Sequence, residues 1–298
     1  MNITPDYLVE RKIHIRRIRR LKVSVVILAI FVLLAVLSKH TWYDLGPISG
    51  KDHIALVDIK GMIKENYYLE SRISSLKNDE RVKAVIININ SSGGTAAGSE
   101  RLYNAIKWVK KAKPVVATMG TTAASAGYMV ALASDYIIAH NCTITGSIGV
   151  ISQAPDLTEL LSNLGIKFNI IKSGEFKSSP NPVETLTDRS KEAIESTVMD
   201  IHNYFVDLVV ENRKLSREVV SQIASGKVYT GRQAYKLELV DDIGDTQTAI
   251  AWLEREKGIK NLTVKRLDMD SWSKYSSIID AVSERISSLL SARSISLN

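Results

Sequence analysis

Two nearly continuous apolar runs, Val82-Lys-Ala-Val-Ile-Ile-Asn-Ile89 and Val115-Val-Ala-Thr-Met119, limit the fold of this chain more than any other feature. A strand covered on one face alternates apolar and polar residues, whereas a strand covered on both faces loses the alternation. The runs therefore read as strands of a sheet packed on both sides, and such sheets are joined mainly by helical crossovers. The flanking sequence agrees. A first strand is expected in Ile54–Ile63, and Leu69–Lys77 and Thr95–Lys111 carry helical spacing, giving the order β-α-β-α-β-α. Tyr136–Ala139, Gly149–Ile151 and Phe168–Ile171 read as further short strands, with a helix over Leu157–Leu164. Beyond Thr187 the pattern turns to long helices, over Asp188–Lys214, Arg217–Ser225, Gly231–Leu237 and Thr246–Lys257, with apolar Leu239–Ile243 between the last two. The fold class is α/β.

With 298 residues and 45% hydrophobic content, the chain can bury one core of roughly 200 residues plus appendages. One appendage precedes it. Val23–Leu37 holds no charge and lies between Lys22 and Lys39. As a helix it rises about 23 Å, and Leu21, Ser38 and snorkelling lysines extend it toward the roughly 30 Å hydrocarbon core of a bilayer. Bulky Leu34, Val36 and Leu37 stand where a signal peptidase requires small residues, so an uncleaved anchor is expected rather than a removable leader. Arg11, Lys12, Arg16, Arg17, Arg19, Arg20 and Lys22 precede the segment, which places residues 1–22 in the cytoplasm and the rest of the chain outside it. That arm also explains most of the net charge of +7, so the basic balance is a topology signal rather than a nucleic-acid signal. The expected organisation is a basic arm (1–22), a transmembrane anchor (23–38), a Gly/Pro/Ser linker (39–51), a catalytic domain (52–258) and a polar tail (259–298). The tail carries an amphipathic pattern at Ile278, Ile279, Val282, Ile286, Leu289 and Leu290, which suits packing on a neighbouring subunit, a mobile segment or, least well given its acidic residues and single Trp272, a membrane surface. Cys142 is the sole cysteine, which excludes an intramolecular disulfide, and it reads as a small buried residue.

Chemistry is concentrated at the ends of the two apolar runs. Met119-Gly-Thr-Thr-Ala-Ala-Ser-Ala-Gly127 carries Ser125 through a small-residue turn into an apolar helix. Free main-chain N–H groups at a helix start can stabilise the oxyanion of an attacked carbonyl, so Ser125 fits an acyl-transfer nucleophile. The same residues also fit a serine N-cap followed by a small-residue packing face. Asn90-Ser-Ser-Gly-Gly94 ends the other run in a turn whose amides suit a phosphate, an oxyanion or a peptide backbone, or serve only to turn the chain. No Gly-Lys-Ser/Thr follows, which excludes a Walker loop. A nucleophilic serine requires a base. His53, His140 and His202 lie in no recognisable partner motif, while Lys177 lies in a Pro-rich loop. Lysine acts as a base where burial disfavours its charged form. The residues alone do not choose between these bases.

A family resemblance does choose. Ala123-Ala-Ser-Ala-Gly-Tyr-Met-Val-Ala131, Asn90-Ser-Ser-Gly-Gly94, Thr145-Gly-Ser-Ile-Gly-Val150, Ser173-Gly-Glu-Phe-Lys-Ser-Ser-Pro180, and Val228-Tyr-Thr-Gly-Arg-Gln-Ala234 followed by Leu239-Val-Asp-Asp-Ile-Gly244 together resemble the short bacterial form of signal peptide peptidase A, of peptidase family S49. The resemblance covers about residues 52–255. It implies a Clp-protease/crotonase-like fold of stacked ββα units with C-terminal helices. It also implies Ser125 as nucleophile, Lys177 as general base, Ser147 as the residue orienting that lysine, and the amides of Gly93 or Gly94 and of Ala126 as the oxyanion hole. No metal or cofactor is implied. Two departures stand out: Ser92 occupies a position that is commonly proline, and Ala126 one that is often glycine. Both keep the required amides. The family assembles into dome-like homo-oligomers whose sites are shared between protomers.

The expected function is that of a membrane-anchored serine endopeptidase, with its catalytic domain outside the cytoplasmic membrane, cleaving remnant signal peptides and other apolar, small-residue-rich peptides. Two other classes use the same fold. A crotonase-type acyl-CoA enzyme would polarise a thioester with the same amides, but an outward-facing domain is separated from cytoplasmic CoA. A non-catalytic membrane scaffold would have no need of Ser125, Lys177 and Ser147 together.

Overall fold

The computed structural model describes residues 51–267; the expected arm, anchor and most of the tail lie outside them. Among the described residues no helix is long and apolar enough to cross a membrane. One eight-stranded sheet organises the domain, built on β1 (His53–Lys60), β2 (Val82–Ser91) and β3 (Val115–Ala124) in parallel. β2 pairs with both of the others, and its register matches Leu56 to Ile86 and Ile86 to Val116. Between these strands run α1 (Tyr67–Ser75) and α2 (Ala96–Lys110).

The sheet is covered on both faces, which accounts for the missing alternation. Val85, Ile87 and Ile89 of β2 join a core with Leu102 and Ile106 of α2 and with α3 (Ala126–Ala131). The intervening Ala84 and Ile86 face a second cluster made with Ala249, Trp252 and Leu253 of α8 (Thr246–Lys257). Further along this second face the residues become polar, with Asp58, Asn88 and Thr118 hydrogen-bonded in a row.

β3 divides its partners. Val116–Met119 pairs with β4 (Tyr136–Ala139), and Thr122–Ala124 pairs with β5 (Ile144–Gly146). The β2–β3 register slips between Ile89 and Ser91, where the Asn90 side chain accepts from the Thr122 amide at 3.1 Å and closes the gap. β5 also pairs antiparallel with β6 (Val228–Thr230), and β7 (Asp242–Ile243) pairs with β4. α4 (Thr158–Asn163), α5 (Asp188–Arg213), α6 (Arg217–Ile223) and α7 (Gly231–Lys236) complete the described domain.

Several expectations need correction. Gly149–Ile151 and Phe168–Ile171 form no strand, and Ile151 and Ile171 are 84% and 100% exposed. Both isoleucines lie in a long segment, 151–186, that forms no strand and pairs with no sheet edge among the described residues. Cys142 is exposed, because it sits in the turn closed by His140 and Thr143 between β4 and β5. The first strand ends at Lys60, and Ile63 continues it only through an isolated bridge to Gly94. β8 (Thr263–Arg266), inside the segment read as tail, pairs with His53–Leu56 of β1, so the fold runs past residue 258.

Candidate active site

Ser125 stands where β3 passes into α3, with φ 52° and ψ −120°. That region is strained for any residue carrying a Cβ, since only glycine enters it freely. Three local contacts hold it there. The Ser125 amide donates to the Gly146 carbonyl at 2.9 Å, its carbonyl accepts from the Met129 amide at 2.9 Å, and the residues that follow are buried. Gly127 is required at this bend, because a Cβ there would lie 2.8 Å from the Ser91 carbonyl oxygen. The side chain of Ser125 makes no capping bond to α3, so the hydroxyl is not consumed by the helix.

The Gly93–Gly94 turn reaches the same point from β2. A Cβ on Gly93, whose φ is 151°, would lie 3.5 Å from Ser125 Cβ and 3.8 Å from its Oγ. Gly94 is fixed on its other side: Ile63 donates to the Gly93 carbonyl at 2.9 Å, and Thr95 donates to the Ile63 carbonyl at 2.9 Å. In such a parallel bridge the residue between the two bonds directs its own N–H away from its partner. The Gly94 amide therefore turns from Ile63 toward the β3 side, where Ser125 lies. The Gly93 amide is already taken by Ser91 Oγ at 3.3 Å, which makes Gly94 the better oxyanion donor of the two. Ala126, first residue of α3, has no intrahelical acceptor for its N–H, which leaves that amide available as a donor.

Ser147 is also brought close. It follows Gly146, the register partner of Ala124, as Ser125 follows Ala124, and its own φ is 50°. Its amide donates to the Lys227 carbonyl at 2.8 Å. Ser125, Ser147, Gly93, Gly94 and Ala126 thus gather at the C-terminal ends of β2, β3 and β5.

Lys177 bonds to none of them. It is exposed in a turn where its amide donates to the Gly174 carbonyl at 3.1 Å, and its ammonium makes no hydrogen bond or ion pair among the described residues. The loop around it is nevertheless tethered. Lys172 and Asn181 both donate to the Glu184 carboxylate, and Arg189 pairs with Glu175 at 2.7 Å. The hydrogen bond from Lys172 holds the Glu184 carboxyl below the usual glutamate range. Among the described residues no histidine bonds Ser125: His53 begins β1 at the far end of the sheet, His140 follows β4 and His202 lies on α5. Among the described residues no group of three or more His, Cys, Asp or Glu side chains could hold a metal ion.

Support beneath Ser125 includes residues that carry no motif. Tyr128 of α3 donates from its buried hydroxyl to the Leu239 carbonyl at 2.9 Å, and burial raises its pKa. Arg213, at the end of α5, forms two bonds to Asp241 at 2.8 and 2.9 Å and one to the Glu238 carbonyl. Asp241 also accepts from the Ile137 amide at 2.7 Å. The 238–241 segment so fixed holds α3 from behind. Only the long spacing from Arg213 to Asp241 encodes this contact, and no local pattern announces it.

A model of Peptidase family S49 matches residues 107–260, and a model of Clp protease matches residues 54–159. A protein of Methanocaldococcus jannaschii, provisionally named a protease, is 35% identical over 198 residues, covering 66% of this chain and 64% of its own length. A second provisionally named protease, from Synechocystis sp., is 33% identical over 213 residues, covering 71% of this chain and 76% of its own length. The chloroplastic serine protease SPPA of Arabidopsis thaliana is 30% identical over 248 residues, which cover 78% of this chain and only 37% of the plant protein.

Proposed function

The chain belongs to peptidase family S49, and from that premise we propose that it is a membrane-anchored serine endopeptidase acting through Ser125 and Lys177. Neutral Lys177 takes the Ser125 proton as Oγ attacks the scissile carbonyl. The oxyanion is received by the Gly94 and Ala126 amides, and Lys177 passes its proton to the departing amine. Water then attacks the acyl-enzyme by the same route in reverse. Ser147 orients the lysine. The observation that carries this reading is the backbone of Ser125: a serine kept at φ 52°, with the Gly93 turn so near that a Cβ on Gly93 would lie 3.8 Å from its Oγ.

Since Lys177 is exposed in one chain, the site is completed by a neighbouring copy, in the dome-like homo-oligomer that the family resemblance implies. Segment 151–186 supports this. Leu164, Phe168 and Ile171 are all more than half exposed, an apolar extent that calls for a cover. The substrates are apolar peptides with small side chains, such as cleaved signal peptides released in the cytoplasmic membrane. The Clp-protease/crotonase-like domain faces away from the cytoplasm, held by segment 23–38.

Reaction with a fluorophosphonate probe, followed by mapping of the modified residue, tests the assignment. Label on Ser125, lost in Ser125→Ala and strongly reduced in Lys177→Ala, is the expected result. Label elsewhere, or full labelling without Lys177, overturns it.

A further inference from the structure

β1, β2 and β3 run in parallel from one pole of the domain to the other, and the Ser125 site occupies the pole at their C-terminal ends. The opposite pole is formed by Asp52, the turn after α1 and the turn after α2. They are knit together: His53 donates to the Arg81 carbonyl at 2.9 Å, and Val85 to the Pro114 carbonyl at 2.9 Å. Lys113 reaches across to the carbonyls of Leu76 and Asp79.

On this pole Trp108, near the end of α2, is 47% exposed. Lys77 Nζ lies 3.2 Å from its ring centroid and Lys111 Nζ lies 5.3 Å away. Three nearby carboxylates are already matched, Asp52 with Lys83 at 3.3 Å, Asp79 with Arg81 at 3.8 Å and Asp135 with Lys110 at 3.7 Å, and Glu80, exposed in the same turn, has no ion pair with Lys77 or Lys111. Lys77 and Lys111 have no carboxylate partner among the described residues. An exposed indole flanked by two unmatched ammonium groups is the chemistry of a bilayer interface, with an apolar body for the headgroup boundary and cations for lipid phosphates. The chain supplies a second reason. Only residues 39–51 separate the apolar segment from this pole, a tether of at most about 45 Å when fully extended.

We infer that this pole rests on an anionic phospholipid surface, with Trp108 in the headgroup region and Lys77 and Lys111 on lipid phosphates. The inference rests on the membrane-anchored reading above. It places the Ser125 site at the far end of β2, about 30 Å from the lipid surface, open to peptides that have left the bilayer.

The test uses the full chain reconstituted into vesicles of phosphatidylcholine alone or with one third phosphatidylglycerol, each containing brominated lipid as a quencher. The Trp108 signal is the difference between wild type and Trp108→Phe. Expected is quenching of that signal in the anionic vesicles, relieved by 1 M salt. Lys77→Gln and Lys111→Gln should each weaken the contact about fivefold, while peptidase activity in detergent stays unchanged. A Trp108 signal left unquenched in anionic vesicles from which alkaline carbonate fails to extract the chain overturns the inference. Extraction by carbonate would instead remove the anchoring reading. Flotation of the extracted protein then decides: flotation that depends on phosphatidylglycerol and is lost in the double lysine variant upholds the basic pole, and no flotation overturns it.

Discussion

Replacing Ser125 by glycine should abolish turnover and yet make the protein more stable than replacing it by alanine. At φ 52° and ψ −120° a side chain of any kind strains the backbone, at a cost of about 1–3 kcal/mol. Alanine removes the hydroxyl but keeps the Cβ, so the strain persists. Glycine releases it, offset by about 0.5–1 kcal/mol of extra chain entropy in the unfolded state. The net difference favours Ser125→Gly over Ser125→Ala by up to about 2.5 kcal/mol, which for a domain of this size raises the melting temperature by about 2–4 °C per kcal/mol. Both variants lack the Ser125 hydroxyl, so on the proposed reading self-cleavage cannot bias the comparison, and thermal unfolding followed by circular dichroism in one detergent suffices. A Ser125→Gly protein that melts at or below Ser125→Ala would refute the claim that the nucleophile is held under strain.

Gly94→Ala should inactivate and destabilise together, by about 3 kcal/mol, because its Cβ would fall 2.0 Å from the Ile63 carbonyl oxygen; a variant with wild-type urea stability would show that this turn yields easily. Glu184→Gln should lower kcat/KM while leaving the melting temperature nearly unchanged, since it unties only the loop carrying Lys177. Because the folded-state pKa of Glu184 is depressed, its tether is present above the ordinary glutamate range and is lost as pH falls through the folded value, and hydrogen exchange in residues 172–184 should rise there in wild type but not in the variant. Arg213→Met should cost about 3 kcal/mol in chemical denaturation by stranding Asp241, with part regained on adding Asp241→Asn; a loss under 1 kcal/mol would remove Arg213 from the support of α3. Finally, co-expressed Ser125→Ala and Lys177→Ala chains should recover partial activity in a verified mixed oligomer, whereas persistent inactivity there would confine the site to one protomer.

The parallel sheet was legible because burial on both faces leaves a mark in composition: Ala84 and Ile86 meet α8 while Val85, Ile87 and Ile89 meet α2 and α3, so the run from Ala84 to Ile87 is unbroken by a polar residue, and Asn88 enters only where the second face turns polar and Asp58 and Thr118 bond it. Helix starts were equally plain, since Thr95, Thr187, Ser216, Thr230 and Asp245 each cap the helix that follows. The short strands β5, β6 and β8 were not legible, because three or four residues owe their conformation to the partner across the ladder rather than to their own pattern. Ser125 was suggested by its small neighbours, but its strained φ was not, as a serine holding a glycine conformation has no signature in sequence. Arg213 and Asp241 meet only through the folded chain.

The most instructive misreading is Phe168–Ile171. Its apolar character indicates burial, and a strand in a sheet was the nearest way to supply it. Within one chain that burial never arrives, and Ile171 is fully exposed. Six residues later stands Lys177, whose role no local feature reveals and whose ammonium has no partner among the described residues. An apolar segment without a cover and a lysine without a partner in the same loop are both accounted for by a second copy of the chain: it would bury the first and place the second beside a serine. On the proposed reading, the strain at Ser125 and the free amides of Gly94 and Ala126 are built into each chain, while the base arrives only with assembly. Chains diluted below the dissociation constant of the assembly should therefore keep their fold and the arrangement of the Gly94 and Ala126 amides and lose their turnover.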